Sequence, residues 1–367
     1  MALTKKKQAT SDWVEGLMFR SVVLGRSATL YRNVANTLFP ERLSVEDRVA
    51  LRDLLCDAML KEPGVLGKKA FALKAEDEGF EHEADRLLGY GLVTKLFLEH
   101  KEGAAIVGGP GTVAVCVNDE DHLTFKCSDP KPFATQWQSL HTAAEALGKR
   151  LPFATSPAYG YLSANPEHSG TGLKLTCSFC FFGLFLMKEM EQVLRGIERL
   201  GFDISPVFVL SEEEESPLDS PGCCYRVTST QTLGKEEHII ERMERICAEV
   251  ATQEQNARLR LMEDRQEVLH DFVRRSVAVG SVAAQVTESE GIDIVNAMIF
   301  ALDMRLFKTK ASVWTELHAL LVQMPGSALR YLVKTTPEEE ALDMKAMRAA
   351  IIRPVAMQLL PACLDKI

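Results

Sequence analysis

The chain has 367 residues, 46% apolar and 25% charged, a globular balance with enough length for two hydrophobic cores. Its net charge of -9 excludes a general nucleic-acid binder, which needs a basic face to displace counterions. The nine cysteines, mostly set in apolar segments, read as reduced and buried in a cytoplasmic protein, and no secretory signal or membrane span is visible.

From the N-terminus, Leu43 to Leu60 carries apolar residues three and four apart, with Ser44 as N-cap and Asp47 completing a capping box. This predicts a helix. Glu81 to Leu98 predicts a second, weakened by Gly89 and Gly91. Gly103 to Val117 holds two β-runs around a Gly-Gly-Pro-Gly turn, a hairpin signal, and His122 to Cys127 alternates as a partner strand. Trp137 to Lys149 reads as a helix. Tyr159 to Ser163 and Leu173 to Phe182 read as strands around the loop Ser169-Gly-Thr-Gly172. Met187 to Leu200 is amphipathic, with Gly201 placed to cap it. Pro206 to Leu210 and Cys223 to Ser229 read as short strands flanking the acidic loop Glu212 to Glu215. From Lys235 onward helical patterns dominate, at 236–266, 268–280, 292–306, 312–323 and 338–357. The expected fold class is α+β, an antiparallel sheet flanked by helices and followed by an all-α C-terminal domain. The domains are placed at 1–258 and 259–367, within a boundary zone of 255–265.

Cys177-x-x-Cys180 with Cys223-Cys224 reads as core, since a strand turns positions 177 and 180 to opposite faces, and no metal site is expected. Gly170-Thr-Gly172 lacks the Gly-Lys-Ser/Thr ending of a P-loop.

Five strings, in one order, resemble the guanido phosphotransferases. They are Leu30-Tyr-Arg-Asn-Val-Ala-Asn36, Val117-Asn-Asp-Glu-Asp-His-Leu123, Gly160-Tyr-Leu-Ser-Ala-Asn-Pro-Glu-His-Ser-Gly-Thr-Gly-Leu173, Gln231-Thr-Leu-Gly-Lys235 and Gln253-Glu-Gln-Asn-Ala-Arg258. The helical ending is similar to that of the bacterial protein-arginine kinases. The resemblance implies transfer of the γ-phosphoryl of Mg-ATP to a guanidinium, with a carboxylate taking a proton and arginines clamping the phosphates. It makes Glu120 the catalytic carboxylate and places His122 and Asn165 at the substrate, Asn165 standing where the family has a cysteine.

The implied arginine clamp is mostly missing. Its positions fall on Ser27, Thr29, Thr124 and Lys174, and the last on Ser205 or Pro206 beside the four glutamates. Lys174, Arg32 and Arg26 are left to hold the nucleotide. Losing four charge-assisted donors removes on the order of 6–10 kcal/mol of stabilisation before non-additivity. In the C-terminal part, Asp343 and Arg348 are the nearest match to the subgroup's phosphoarginine pocket. Two expectations stand. One is a pseudokinase working as a regulator or adaptor, with ATP and Mg bound only if activity is retained. The other is a divergent active protein-arginine kinase using Glu120. The resemblance implies as partners a Clp-type AAA+ unfoldase, a small zinc-binding activator protein and protein clients, in protein quality control. A homodimer is expected, with no nucleic acid and no membrane.

Overall fold

The computed structural model describes residues 18–61, 66, 69–89, 93–99, 101–108, 113–208, 210, 220–307, 309–326, 328–329 and 340–366. The loop Glu212 to Glu215 lies outside the described residues.

Alternating residues build the centre of the molecule. Strand β1 (Val23–Arg32) pairs antiparallel with β5 (Leu123–Ser128) on one side and β8 (Leu173–Cys180) on the other. The sheet continues through β4 (Val113–Val117), β3 (Ala105–Gly108) and β2 (Phe71–Lys74) at one end, and β10 (Cys224–Ser229) and β9 (Phe202–Pro206) at the other. The order is β2-β3-β4-β5-β1-β8-β10-β9, every described pair antiparallel. A small hairpin joins β6 (Thr155–Ser156) to β7 (Gly160–Tyr161). The strand β1 has no counterpart among the sequence expectations, because Gly25, Arg26 and Ser27 interrupt its apolar pattern. It is central because Ala28 and Leu30 reach the core.

The pleat sorts the side chains. Ala28, Leu30, Phe125, Leu175 and Cys177 point to a face covered by α4 (Phe133–Gly148) and the long α7 (Glu236–Asp264). Ser27, Thr29, Lys126, Lys174, Thr176 and Ser178 point to the other face and are partly exposed. Towards β2–β4 that second face is roofed by α2 (Phe80–Gly89) and α3 (Lys95–Glu99), which close a small core of Phe80, Phe97, Ile106 and Cys116. The open remainder is where the candidate site lies.

Local chemistry sets the helix ends. In α1 (Val45–Lys61) the Ser44 hydroxyl accepts from the Asp47 amide at 3.1 Å and donates to its carboxylate at 2.7 Å, as the spacing predicts. The expected helix over 81–98 is instead two, α2 and α3, the stretch 90–92 with Gly91 lying outside the described residues. The expected helix over 187–200 is α6 (Met190–Arg199), which starts three residues later, and a short helix not expected, α5 (Phe182–Met187), precedes it, with Lys188 left-handed at φ 63° between them. Strand β9 also starts earlier than the expected 206–210.

The C-terminal part is helical: α8 (Gln266–Val282), α9 (Glu288–Asp303), α10 (Ala311–Gln323) and α11 (Glu340–Lys366). The last helix runs nine residues past the expected end at 357. Pro354 and Pro361 face outward, while Ile352, Val355, Ala356, Leu359 and Cys363 are buried at helical spacing. Its segment Met344–Leu364 has a mean hydropathy of 1.2, long and apolar enough to cross a bilayer by composition, with 39% of it buried within the protein. One hydrophobic cluster runs without a break from the sheet into these helices. The position 258/259 falls inside α7.

Candidate functional site

The acidic string after β4 is a tight connection in which four of five side chains are committed to structure. Asn118 adopts φ 56° and donates to the carbonyls of Arg48 (3.0 Å) and Gly103 (2.8 Å). Asp119 accepts from the Thr94 hydroxyl at 2.5 Å. Asp121 accepts from Asn33 (2.6 Å), the Ser163 hydroxyl (2.7 Å) and the Ala164 amide (2.8 Å), tying β1 to the loop before β8. His122 is fully buried, its Nδ1 accepting from the Val34 amide at 3.0 Å and its Nε2 lying 2.8 Å from the Leu38 carbonyl. Both ring nitrogens are therefore taken by backbone, which corrects the expectation that His122 contacts substrate.

Glu120 is the member left to face the open side of the sheet. Burial raises its pKa, with Asp121 and Asp119 adding to the rise, while a hydrogen bond from Asn165 and the charge of Lys174 oppose it. Asn165 caps the short 3-10 turn Pro166–His168 by accepting from the Glu167 amide at 3.0 Å. So Glu120, Asn165 and Lys174 do come together, from three separate stretches of chain.

His168 joins them. Its ring stacks on Tyr31 at 3.9 Å with planes 4° apart, and Nδ1 is 3.6 Å from Oε2 of Glu120. Nδ1 is buried and has no hydrogen-bond partner. Burial pushes the imidazole pKa down to about 4, and Lys174 and Lys126 push the same way. Glu120 shifts towards neutrality and His168 is neutral at pH 7, so their contact is not an ion pair. Sequence reading passed over His168, Tyr31, Lys126 and Arg226. The period of two would have found Lys126, which stands two residues after Thr124 and faces the same way.

The expected clamp positions lie in one patch. Ser27 and Thr29 of β1 are partly exposed on this second face, Thr124 of β5 is buried on the same side, and Lys174 is directly across from Thr29. Thr29 is also directly across from Lys126, and Arg226 lies on the same face, bonded to the Val207 carbonyl. Arg26 and Arg32 do not join them. They alternate with Ser27, Thr29 and Tyr31, so the pleat turns them to the opposite face. Arg26 is buried against Glu244 at 3.2 Å and lies over the Phe133 ring. Arg32 donates to the carbonyls of Tyr31 (2.7 Å) and Thr171 (2.9 Å) and lies 3.5 Å above the Tyr161 ring. Burial lowers its pKa to about 10. The expectation that these two arginines assist Lys174 is corrected accordingly.

In the helical part, Arg348 is fully buried, donating to the Met324 carbonyl at 3.1 Å with Glu288 at 3.6 Å. It does not line an open pocket. The side chain of Asp343 lies outside the described residues. Among the described residues no cluster of three His, Cys, Asp or Glu is arranged to hold a metal ion.

Lys126 and Lys174 share this face of the sheet, near the partly exposed Glu120 carboxylate and the imidazole nitrogen of His168 that makes no hydrogen bond.

Comparison with known proteins shows the family. The profile of the ATP:guanido phosphotransferase C-terminal catalytic domain matches residues 70–257. The chain is 25% identical over 316 residues to a protein-arginine kinase of Halothermothrix orenii, spanning 85% of this chain and 88% of that one. It is 27% identical over 358 residues to the protein-arginine kinase of Bacillus licheniformis, spanning 95% and 93%. Among solved structures, the duplicated taurocyamine kinase of Schistosoma mansoni with bound transition state analog components matches with a TM-score of 0.53 and 16% identity. That match covers 74% of this chain and 39% of the duplicated one, and it is a likeness of fold.

Proposed function

The chain belongs to the ATP:guanido phosphotransferase family, and from that premise we propose that it is a protein-arginine-kinase-like pseudokinase. It keeps the half of the site that faces a guanidinium and carries too few arginines for efficient transfer from ATP. The observation behind this reading is the composition of the open face of β1, β5 and β8. Ser27 and Thr29 occupy it, with Thr124 buried beside them, and Arg26 and Arg32 are turned away.

Guanido kinases use ATP with Mg, which supplies the phosphoryl group and neutralises charge on it. In this chain Lys174 would meet the phosphates. Glu120, steadied by Asn165, would align an arginine side chain and hold its proton at Oε2. A lysine supplies charge without the bidentate fork of an arginine, so it fixes a phosphoryl group less firmly. In this reading the fold serves as a cytoplasmic regulator or adaptor in protein quality control. Its partners are a Clp-type AAA+ unfoldase, a small zinc-binding activator and arginine-bearing clients, and it acts as a homodimer with the helical part as the docking region.

The convergence of Glu120, His168 and Lys174 favours a second reading, a divergent active kinase. Calorimetry of Mg-ATP on the purified chain, alone and with its activator, separates the two when followed by phosphoarginine detection on an arginine-rich protein. The pseudokinase reading expects a Kd no tighter than about 1 mM and no phosphoarginine. Micromolar binding, with transfer that disappears in Glu120→Gln, would sink it and establish the second.

A further inference from the structure

We propose that Lys126 is an anion-binding residue of this site, gripping with Lys174 the phosphates of a polyphosphate chain across Thr29. The inference rests on the nucleotide-facing part of the reading above and adds a residue that the family resemblance does not supply.

Strand register carries the argument. Lys126 of β5 and Lys174 of β8 are each the direct partner of Thr29 on β1, so the three form one row across the sheet. Directly opposed residues in antiparallel strands point the same way, and two strand spacings put the lysine Cα atoms about 10 Å apart. Side chains of that length, leaning towards each other over a threonine, can close on a single chain of phosphates. Arg226 stands on the same face two strands from β1, and its charge acts on Lys126.

The local electrostatics lack a direct ion pair. Among the described residues neither ammonium has a carboxylate within 4 Å. Asp119 acts on Lys126 and Glu120 on Lys174 only through their fields, without contact. Burial disfavours the charged form of Lys126, and Lys174 and Arg226 repel it further. His168 adds a buried Nδ1 that makes no hydrogen bond, 3.6 Å from Oε2 of Glu120 and within the field of both lysines. Grouping like charges on a recessed face is unfavourable until an anion enters. A phosphate chain supplies several negative oxygens in a row, which matches cations distributed across strands better than a single anion does.

Phosphorus NMR titration of inorganic tripolyphosphate into the full chain tests this, with inorganic phosphate as the second probe. The variants are Lys126→Met, which keeps the volume, Lys126→Arg, which keeps the charge, and Lys131→Met on the exposed surface as control. Wild type is expected to bind tripolyphosphate more tightly than phosphate. Lys126→Met should weaken tripolyphosphate at least about tenfold, while Lys126→Arg and the control stay near wild type. Without ligand, Lys126→Met should melt no lower than wild type, since it removes the repulsion from Lys174. Equal affinity in wild type and a folded Lys126→Met overturns the proposal, as does no binding of tripolyphosphate by wild type. The phosphoarginine assay is independent of this titration: transfer by a chain whose Lys126→Met variant binds normally rejects both readings, and transfer with the tenfold loss rejects only the pseudokinase.

Discussion

His168 sits between the Tyr31 ring and Glu120 with its pKa held at about 4, well below its ordinary value, so the folded state binds the neutral ring and resists its protonation. At pH above 6.5 neither folded nor unfolded chain carries that proton, and the group costs nothing. Between 6.5 and 4 the unfolded chain takes the proton first, so stability should fall as pH is lowered, by as much as about 3 kcal/mol. Urea titrations at pH 7 and pH 4.5 should show that loss in wild type and a smaller one in His168→Asn. An equal loss in both would show that the imidazole is not responsible. Arg26 gives the opposite kind of test. Arg26→Met strips the partner from buried Glu244, which also accepts from the Phe133 amide at 2.9 Å, and should cost about 3 kcal/mol. Polyphosphate affinity measured on the folded fraction should not change, because Arg26 faces the other side of the sheet.

Among the elements, the connection into β8 is the one whose geometry leaves least freedom. Gly172 has φ +67°, and a Cβ there would lie 2.6 Å from Nη1 of Arg32 and 2.7 Å from the Tyr31 carbonyl. Those two atoms bond each other at 2.7 Å, and Nη1 also donates to the Thr171 carbonyl at 2.9 Å, holding the approach to β8 beside β1. Gly172→Ala therefore combines a left-handed backbone with a clash against backbone, and should destabilise by about 2–4 kcal/mol. Because the Tyr31 amide also donates to the Gly172 carbonyl at 2.9 Å, the same change should disturb the Tyr31–His168 stack. The measurement is denaturant unfolding together with the histidine ring resonances. An unshifted His168 resonance in the destabilised variant would disconnect the loop from the site.

Across the whole molecule, the sheet and the helical part are fastened by a buried polar hub. Arg258 on α7 bonds Glu254 at 2.6 Å, Asp303 at 2.9 Å and the Ser21 hydroxyl at 2.9 Å. Asp303 in turn receives the amides of Arg20 (2.9 Å) and Ser21 (2.8 Å), and Glu254 those of Gly183 (2.9 Å) and Leu184 (2.9 Å). The hub thus links the segment before β1, helix α5, helix α7 and the end of α9. Asp303→Ala leaves a buried guanidinium short of its counter-charge and should cost about 3–5 kcal/mol. With one hydrophobic cluster on both sides of the hub, the described parts should unfold in a single transition that shifts as a unit in this variant. Two resolved transitions, with only one shifting, would show separate folding units.

Much of this protein was legible in the sequence because the signals are local. Ser44 and Asp47 announce α1, the Gly-Gly-Pro-Gly turn announces the β3–β4 hairpin, and the helical period from Lys235 announces α7 to α11. Glu120, Asn165 and Lys174 were singled out from strings whose order along the chain indicates a common fold. The faces of the sheet were not legible, since they depend on which strands pair and in what register. Tertiary structure turned Arg26 and Arg32 away from the site, occupied both nitrogens of His122 with backbone, and buried Arg348. The same pairing placed Lys126 across from Thr29 and stacked His168 on Tyr31. Sequence by itself determined the composition of the site's strands and loops. Which side chains share a face was decided only when β1 entered the middle of the sheet, because a one-residue change of register reverses every side chain on a strand.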